Sequence, residues 1–219
     1  MTRFPSSHEL VVLTDRGQAR GDLLGVVGAA VSGGARVVML REKDLPQGER
    51  RALALGVASA LRPVGGTLLI ASDVALAGQV DADGVHLAAD DPWPDEPPAV
   101  AGRRMLVGRS CHSAEQLLSA RRHGADYATL SPVFSTMSKP GYGPPLGLEY
   151  LTSACRHVSE GLPVIALGGI RTGRVAPCLA AGAAGVAVMG EVMRAGDPAG
   201  QVRELLDEVG SAQGLGVPR

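Results

Sequence analysis

Residues 124–130 read GADYATL: Gly124 ends a helical pattern, Ala125 and Asp126 turn the chain, and Tyr127–Leu130 form a short apolar run. The same punctuation recurs. Gly34-Ala35-Arg36 leads into VVML, Asp81-Ala82-Asp83-Gly84 into VHLA, and Gly182-Ala183-Ala184-Gly185 into VAVM. Each reads as a helix C-cap followed by a buried strand. Eight strand candidates emerge: Leu10–Leu13, Val37–Leu40, Leu68–Ala71, Gly84–Leu87, Met105–Val107, Tyr127–Leu130, Val164–Leu167 and Gly185–Val188. Most are continuously apolar rather than alternating, which means burial on both faces, as in a parallel sheet.

Helical patterns separate most of these strands. The clearest cover Gly21–Ser32, Gln47–Leu61, Ala114–Arg122, Glu149–Val158, Arg174–Ala181 and Ala199–Val209. Between Pro92 and Gly102 the prolines predict a short or degenerate helix. Strands alternating with helices make βα units. Eight units in 219 residues fit one (β/α)8 TIM barrel of parallel strands, with a core over about 9–209 and a flexible tail at 210–219. A doubly wound open sheet is the alternative, but no Gly-x-Gly-x-x-Gly follows the first strand, where a dinucleotide would bind.

Composition narrows the function. The chain is 45% apolar but only 3% aromatic, so its core is built of Val, Leu, Ala and Ile. A net charge of -1 and the lack of a basic, aromatic-rich patch argue against nucleic acid and anionic membranes. No apolar run approaches membrane length, and the opening MTRFPSSHEL lacks a signal-peptide apolar region, so a cytoplasmic location is expected. The three cysteines have neither disulfide nor zinc spacing. Cys155 and Cys178 read as small buried hydrophobes. Cys111 and His112 are strand neighbours that point to opposite faces, which argues against a thiolate–imidazole pair. Homo-oligomerisation stays open.

In a barrel, chemistry is built from the loops after the strands. Here those loops are polar. Thr14, Asp15 and Arg16 follow the first strand, and Arg41, Glu42, Lys43 and Asp44 the second. Ser72 and Asp73 follow the third; His86, Asp90 and Asp91 mark the end of the fourth; Ser110 and His112 follow the fifth. The sixth runs into a long loop, and Asp126–Gly147 as a whole reads DYATLSPVFSTMSKPGYGPPLG. Its Ser131, Ser135, Thr136, Ser138 and Lys139 offer the hydroxyls and the ammonium that a phosphate or pyrophosphate requires. Gly168-Gly169 follows the seventh strand and Gly190 the eighth, matching the usual barrel phosphate site. Arg41, Lys43 and Lys139 gather positive charge, and Asp73 and Asp91 add the carboxylates that suit Mg²⁺ bound to pyrophosphate. The rim thus reads as holding two anionic groups, one with metal and one without.

Plainer readings compete at single residues. Arg41 and Glu42 could form an ordinary rim ion pair. Asp90 is expected to cap the turn before Pro92, leaving Asp91 as the better ligand. His86 could be a satisfied core histidine. His123 and His157 are expected to be solvated, Trp93 to be packed, and Tyr142 is a weak candidate for a lid contact.

At these residues the chain resembles the thiamine phosphate synthase family, with its sister group of thiazole tautomerases. The matching motifs are LREKD (Leu40–Asp44), SDVALA (Ser72–Ala77), DADGVHLAADD (Asp81–Asp91) and GRSCHSAEQ (Gly108–Gln116). GADYATLSPVFSTMSKPG (Gly124–Gly141), LPVIALGGI (Leu162–Ile170) and AGAAGVAVMG (Ala181–Gly190) continue them in order. The family is a (β/α)8 barrel. The resemblance implies a transferase of thiamine biosynthesis that joins hydroxymethylpyrimidine diphosphate to thiazole phosphate and releases pyrophosphate. The pathway it implies is dissociative: the C–O bond breaks first, and the thiazole nitrogen captures a pyrimidine methyl cation. It also implies roles. Arg41, Lys43 and Lys139 would bind pyrophosphate, Asp73 and Asp91 would hold Mg²⁺, and Ser110 would lie near the reacting centre. Thr136, Ser138 and Gly169 would bind the thiazole phosphate or its surroundings, and Ser72, Met189 and Gly190 would complete the substrate pocket.

This chain departs from the synthase pattern. Met39 stands where Gln is usual, Ser72 for Asn, Val74 for Arg, Ala88-Ala89 for Gly-Gln, and Gly190 for Ser. Fewer amide donors weaken discrimination for the aminopyrimidine. His112 matches a tautomerase histidine that would shuttle protons to aromatise a thiazole carboxylate phosphate. The retained Lys43, Asp73 and Asp91 favour the synthase. A non-catalytic ligand-binding barrel is the third reading, and the clustered rim charges argue against it.

Overall fold

The computed structural model describes residues 10–136, 144–158, 161–212 and 214. Eight parallel strands close into a barrel. In chain order the elements begin β1 (Leu10–Leu13), α1 (Leu23–Ser32), β2 (Val37–Leu40), α2 (Gln47–Leu61), β3 (Thr67–Ala71), α3 (Val74–Gln79) and β4 (Gly84–Leu87). A small ribbon, β5 (Ala99–Val100) and β6 (Arg103–Arg104), precedes β7 (Leu106–Cys111), α4 (Ala114–Arg122) and β8 (Tyr127–Leu130). The chain ends with α5 (Gly147–Val158), β9 (Val164–Leu167), α6 (Val175–Ala180), β10 (Gly185–Val188), α7 (Gly190–Met193) and α8 (Pro198–Ala212). Around the barrel the order is β1-β10-β9-β8-β7-β4-β3-β2.

Two concentric cores explain why the strands are apolar on both faces. Residues such as Val12, Val38, Ile70 and Val186 pack outward beneath the helices. Their neighbours Val11, Leu13, Met39, Leu69, Ile165 and Ala187 fill the interior. The largest interior group is Tyr127, fully buried. A Cβ on Gly108 would lie 2.1 Å from the Tyr127 ring, so the glycine makes room for the phenol. The three cysteines are buried on the outer side of the strands or in helices. Burial pushes the Cys111 thiol up to about 12, and Cys111 and His112 do not pair.

The structure corrects several expectations. No helix fills 92–102: the prolines withhold backbone donors, and Ala101 and Gly102, both at positive φ (49° and 77°), turn β5 back into β6. The fifth barrel strand is Leu106–Cys111 rather than Met105–Val107, because Gly108–Cys111 pair with β8 although their side chains are partly polar. The first helix starts at Leu23, where the Asp22 carboxylate accepts from Gly25 N at 2.9 Å and caps it. The last helix runs on to Ala212, so 210–212 is helical instead of part of a tail. The short helices α3 and α7 were not expected. Among the described residues no helix is long and apolar enough to cross a membrane.

Gly108→Ala tests the interior fit. Over-packing against Tyr127 should lower unfolding free energy by roughly 1–3 kcal/mol in a denaturant titration, and an unchanged midpoint would remove the constraint.

Candidate active site

A cavity of about 790 Å³ opens at the C-terminal mouth of the barrel. Met39, Arg41 and Lys43 face it in steps of two, as do Ser110 and His112. Past the other strand ends the wall is continuous, through Ala88–Asp90, Leu167–Arg171 and Ala187–Glu191.

The floor is a polar cluster on three strands. His86 Nδ1 lies 3.0 Å from Tyr127 Oη, and its Nε2 lies 3.0 Å from Ser110 Oγ and 3.5 Å from Thr129 Oγ1. His86 is therefore a satisfied core histidine that also holds Ser110 in place. Burial, with the charges of Lys43 and Arg109, lowers its pKa to about 3, so the imidazole is neutral. A neutral ring donates from one nitrogen and accepts at the other, which lets it serve both hydroxyls.

On the β2 side, Arg41 and Lys43 line the cavity, and neither side chain hydrogen-bonds or ion-pairs with another described residue. The competing reading of Arg41 and Glu42 as a rim ion pair does not hold. Glu42, 2% exposed, accepts the backbone N–H of Arg16 at 3.2 Å with both oxygens, and Arg16 also pairs with Asp44. Thr14 Oγ1 accepts from Arg41 N at 2.9 Å and fixes the backbone that carries the guanidinium.

At the ends of β3 and β4 the picture differs from the one expected. Ser72, Asp73 and Asp91 lie outside the cavity wall, and Asp90 is in it. Asp73 caps α3 through Leu76 N at 2.8 Å and ion-pairs with Arg50. Asp91 turns back to accept from Ala88 N at 2.7 Å. Burial works to raise the Asp91 carboxyl; the Ser72 hydroxyl, the Ala88 N–H and the charges of Lys43 and Arg109 outweigh it and hold the group below the usual carboxylate range. Arg109 donates to the carbonyls of Asp91 (2.6 Å) and Ala89 (2.7 Å) and lies 4.6 Å over the Trp93 ring, which stacks on His123. Trp93 is packed, and His123 is exposed as expected, with one ring face on the indole.

Among the described residues no three of His, Cys, Asp and Glu form a complete metal cage. Mg²⁺ needs less when a substrate's phosphates supply the remaining oxygens: one or two carboxylates suffice. Asp73 and Asp91 follow the neighbouring strands β3 and β4 and are the carboxylates available for that set, with the Ser72 hydroxyl directed to Asp91. Ser72 adopts φ 60°, a conformation in which Asn is more at ease than Ser.

Across the mouth stand β9 and β10, opposite β3 and β4 in the eight-strand ring. Gly168 (φ 101°) and Gly169 (φ 65°) press against the loop after β8; a Cβ on Gly169 would lie 2.4 Å from Ser135 O. Thr136, Met189 and Gly190 line the cavity here, together with Arg171, Arg174 and Arg194. Arg174 donates to Gly169 O at 2.7 Å and covers the Phe134 ring. His112 Nδ1 lies 2.8 Å from Ser131 O, so Nδ1 carries the proton and Nε2 is the basic nitrogen. Ser138, Lys139 and Tyr142 lie outside the described residues.

The three rim arginines, His86 and Asp90 were missed as site residues by the sequence reading. Two arginines so soon after Gly168-Gly169 were a readable signal for an anion.

A closed parallel barrel with cations and bare glycines ringed on one mouth defines a phosphate-handling (β/α)8 protein. The family model described as thiamine monophosphate synthase matches residues 10–192, and the chain belongs to that family. It is 40% identical over 207 residues to a thiamine-phosphate synthase of Roseiflexus castenholzii, covering 93% of this chain and 90% of the relative. A thiamine-phosphate synthase of Chloroflexus aurantiacus is 39% identical over 200 residues, covering 90% of each chain. The solved thiamine phosphate pyrophosphorylase of Pyrococcus furiosus superposes with a TM-score of 0.83 at 30% identity, covering 94% of this chain and 98% of that one.

The buried imidazole predicts a pH dependence. The folded pKa of His86 is about 3, below the ordinary 6.5, so between those values the unfolded chain binds the extra proton. Stability contributed by the neutral ring is complete above about 6.5 and falls as pH drops toward 3. Between pH 7 and 5 the loss should be roughly 2 kcal/mol. Urea unfolding at the two pH values measures it, and His86→Gln should flatten the difference.

Proposed function

We propose that the protein is a thiamine phosphate synthase, a transferase that joins hydroxymethylpyrimidine diphosphate to thiazole phosphate and releases pyrophosphate. The observation that carries this reading is the division of the mouth. Arg41 and Lys43 line it after β2, with Asp73 and Asp91 behind the wall after β3 and β4, whereas Gly168-Gly169 and Gly190 line it after β9 and β10. Two anionic substrates can then enter one cavity from opposite walls and meet over Ser110.

The chemistry assigned to each group follows. Arg41 and Lys43 bind the diphosphate and stabilise the charge that grows as the C–O bond lengthens. Lys139 joins them by its place in the loop motif. Mg²⁺ bound by Asp73 and Asp91 would supply further neutralisation of the leaving group. Ser110, held by His86, touches the reacting centre. Thr136, Ser138 and Gly169 hold the thiazole phosphate, with Met189 and Gly190 on the wall beside it, so that the ring nitrogen faces the departing pyrophosphate. Met39, at 1% exposure, makes the floor under the pyrimidine apolar, which supports a looser grip on that ring than an amide would give.

Turnover of the two substrates, with and without Mg²⁺, tests the reading. Product and pyrophosphate should form together and stop in EDTA. Lys43→Ala should lower kcat on the order of 10²-fold. Full turnover in EDTA or an unimpaired Lys43→Ala enzyme would count against it.

One observation favours a second reading. His112 lines the same cavity, as a tautomerase acting on a thiazole carboxylate phosphate would require. In that case aromatisation should proceed without metal and vanish in His112→Ala; persistence in the mutant would exclude it.

A further inference from the structure

We propose that Arg194 is a substrate-binding residue of this enzyme, one that grips the phosphate of the thiazole substrate through a space that Gly190 leaves open. The proposal rests on the synthase reading above. Gly190 is buried, and a Cβ built on it would lie 2.0 Å from Nη1 and 2.5 Å from Cζ of Arg194. The guanidinium therefore occupies the position that any side chain at 190 would fill. The two residues stand four apart at the end of α7, Arg194 N donates to Gly190 O at 3.1 Å, and both line the cavity. The guanidinium is held in place from outside. Arg194 Nη1 donates to Gln18 Oε1, and Gln18 Nε2 in turn donates to Asp15 Oδ2 at 2.5 Å. Arg20 N donates to Met193 O at 2.8 Å and ties the same loop to the end of α7.

That anchoring uses one of five guanidinium N–H groups, and the fork geometry of the rest suits a phosphate. The neighbouring cations are placed differently. Arg174 is committed to Gly169 O and to the Phe134 ring, so it shapes the wall. Arg194 adds a fixed, permanently charged donor next to Gly190, at the wall facing away from Asp73 and Asp91. It therefore selects for the monophosphate partner and leaves the pyrimidine diphosphate alone.

Steady-state kinetics with each substrate varied in turn, in the presence of Mg²⁺, decides this. Arg194→Ala should raise KM for thiazole phosphate on the order of 10- to 100-fold, the size of a lost charge-assisted contact. KM for the pyrimidine diphosphate should stay within about twofold, and Arg194→Lys should fall between. Gly190→Ser should give the same selective loss by expelling the guanidinium, and the double variant should be no worse than Arg194→Ala, because the two residues act as one unit. Unchanged melting temperatures exclude misfolding. An unaltered thiazole KM in Arg194→Ala overturns the proposal. So does an equal loss in Gln18→Ala, which would mean that Arg194 only pins the loop. Failure of the synthase reading looks different: the wild-type protein then makes no product from the two substrates at all.

Discussion

The mouth of this barrel rests on a tyrosine lying across a glycine. Tyr127 fills the interior where Gly108 has no side chain, and its phenol would be costly to bury without a partner. His86 meets that need and is thereby committed to the interior as a neutral ring. Its second nitrogen reaches Ser110, so the packing of the barrel sets the position of a hydroxyl at the floor of the cavity. Removing His86 takes a hydrogen-bond partner from both hydroxyls, and a buried polar group left without one costs roughly 1–3 kcal/mol. Core and site are one hydrogen-bonded unit here.

Above that floor, geometry separates charges that would otherwise repel or mispair. Glu42 pairs with Arg16 and Asp73 with Arg50, so neither carboxylate is ion-paired with Arg41 or Lys43 on the cavity wall. Two cations placed together on one wall favour an anionic ligand. The glycines on the far wall act differently: they let backbone approach where a Cβ would collide.

Much of this was legible in the sequence, and the misses have physical causes. A glycine cap followed by an apolar run located most of the barrel strands to within a residue, because both features are local. The fifth strand was read short since Arg109 and Ser110 break its apolarity, whereas strand pairing depends on backbone. The helix α3 was overlooked because six residues carry little periodicity; its cap, Asp73, had been read only as a ligand. Asp90 was read as a cap for the turn before Pro92, whereas it is Asp91 that closes the turn onto Ala88 N and Asp90 that lines the cavity. Pairings between distant segments, such as Arg50 with Asp73 or Arg194 with Gln18, leave no local trace at all.

Trp93 is the single tryptophan of the chain, and it sits where the β4 loop is fastened. Arg109 lies on its ring while holding the carbonyls of Ala89 and Asp91, and His123 stacks against it with ring centres 4.8 Å apart. The chain's one tryptophan, an intrinsic fluorophore, thus sits at the fastening of the loop that carries Asp90 and Asp91, at one edge of the mouth.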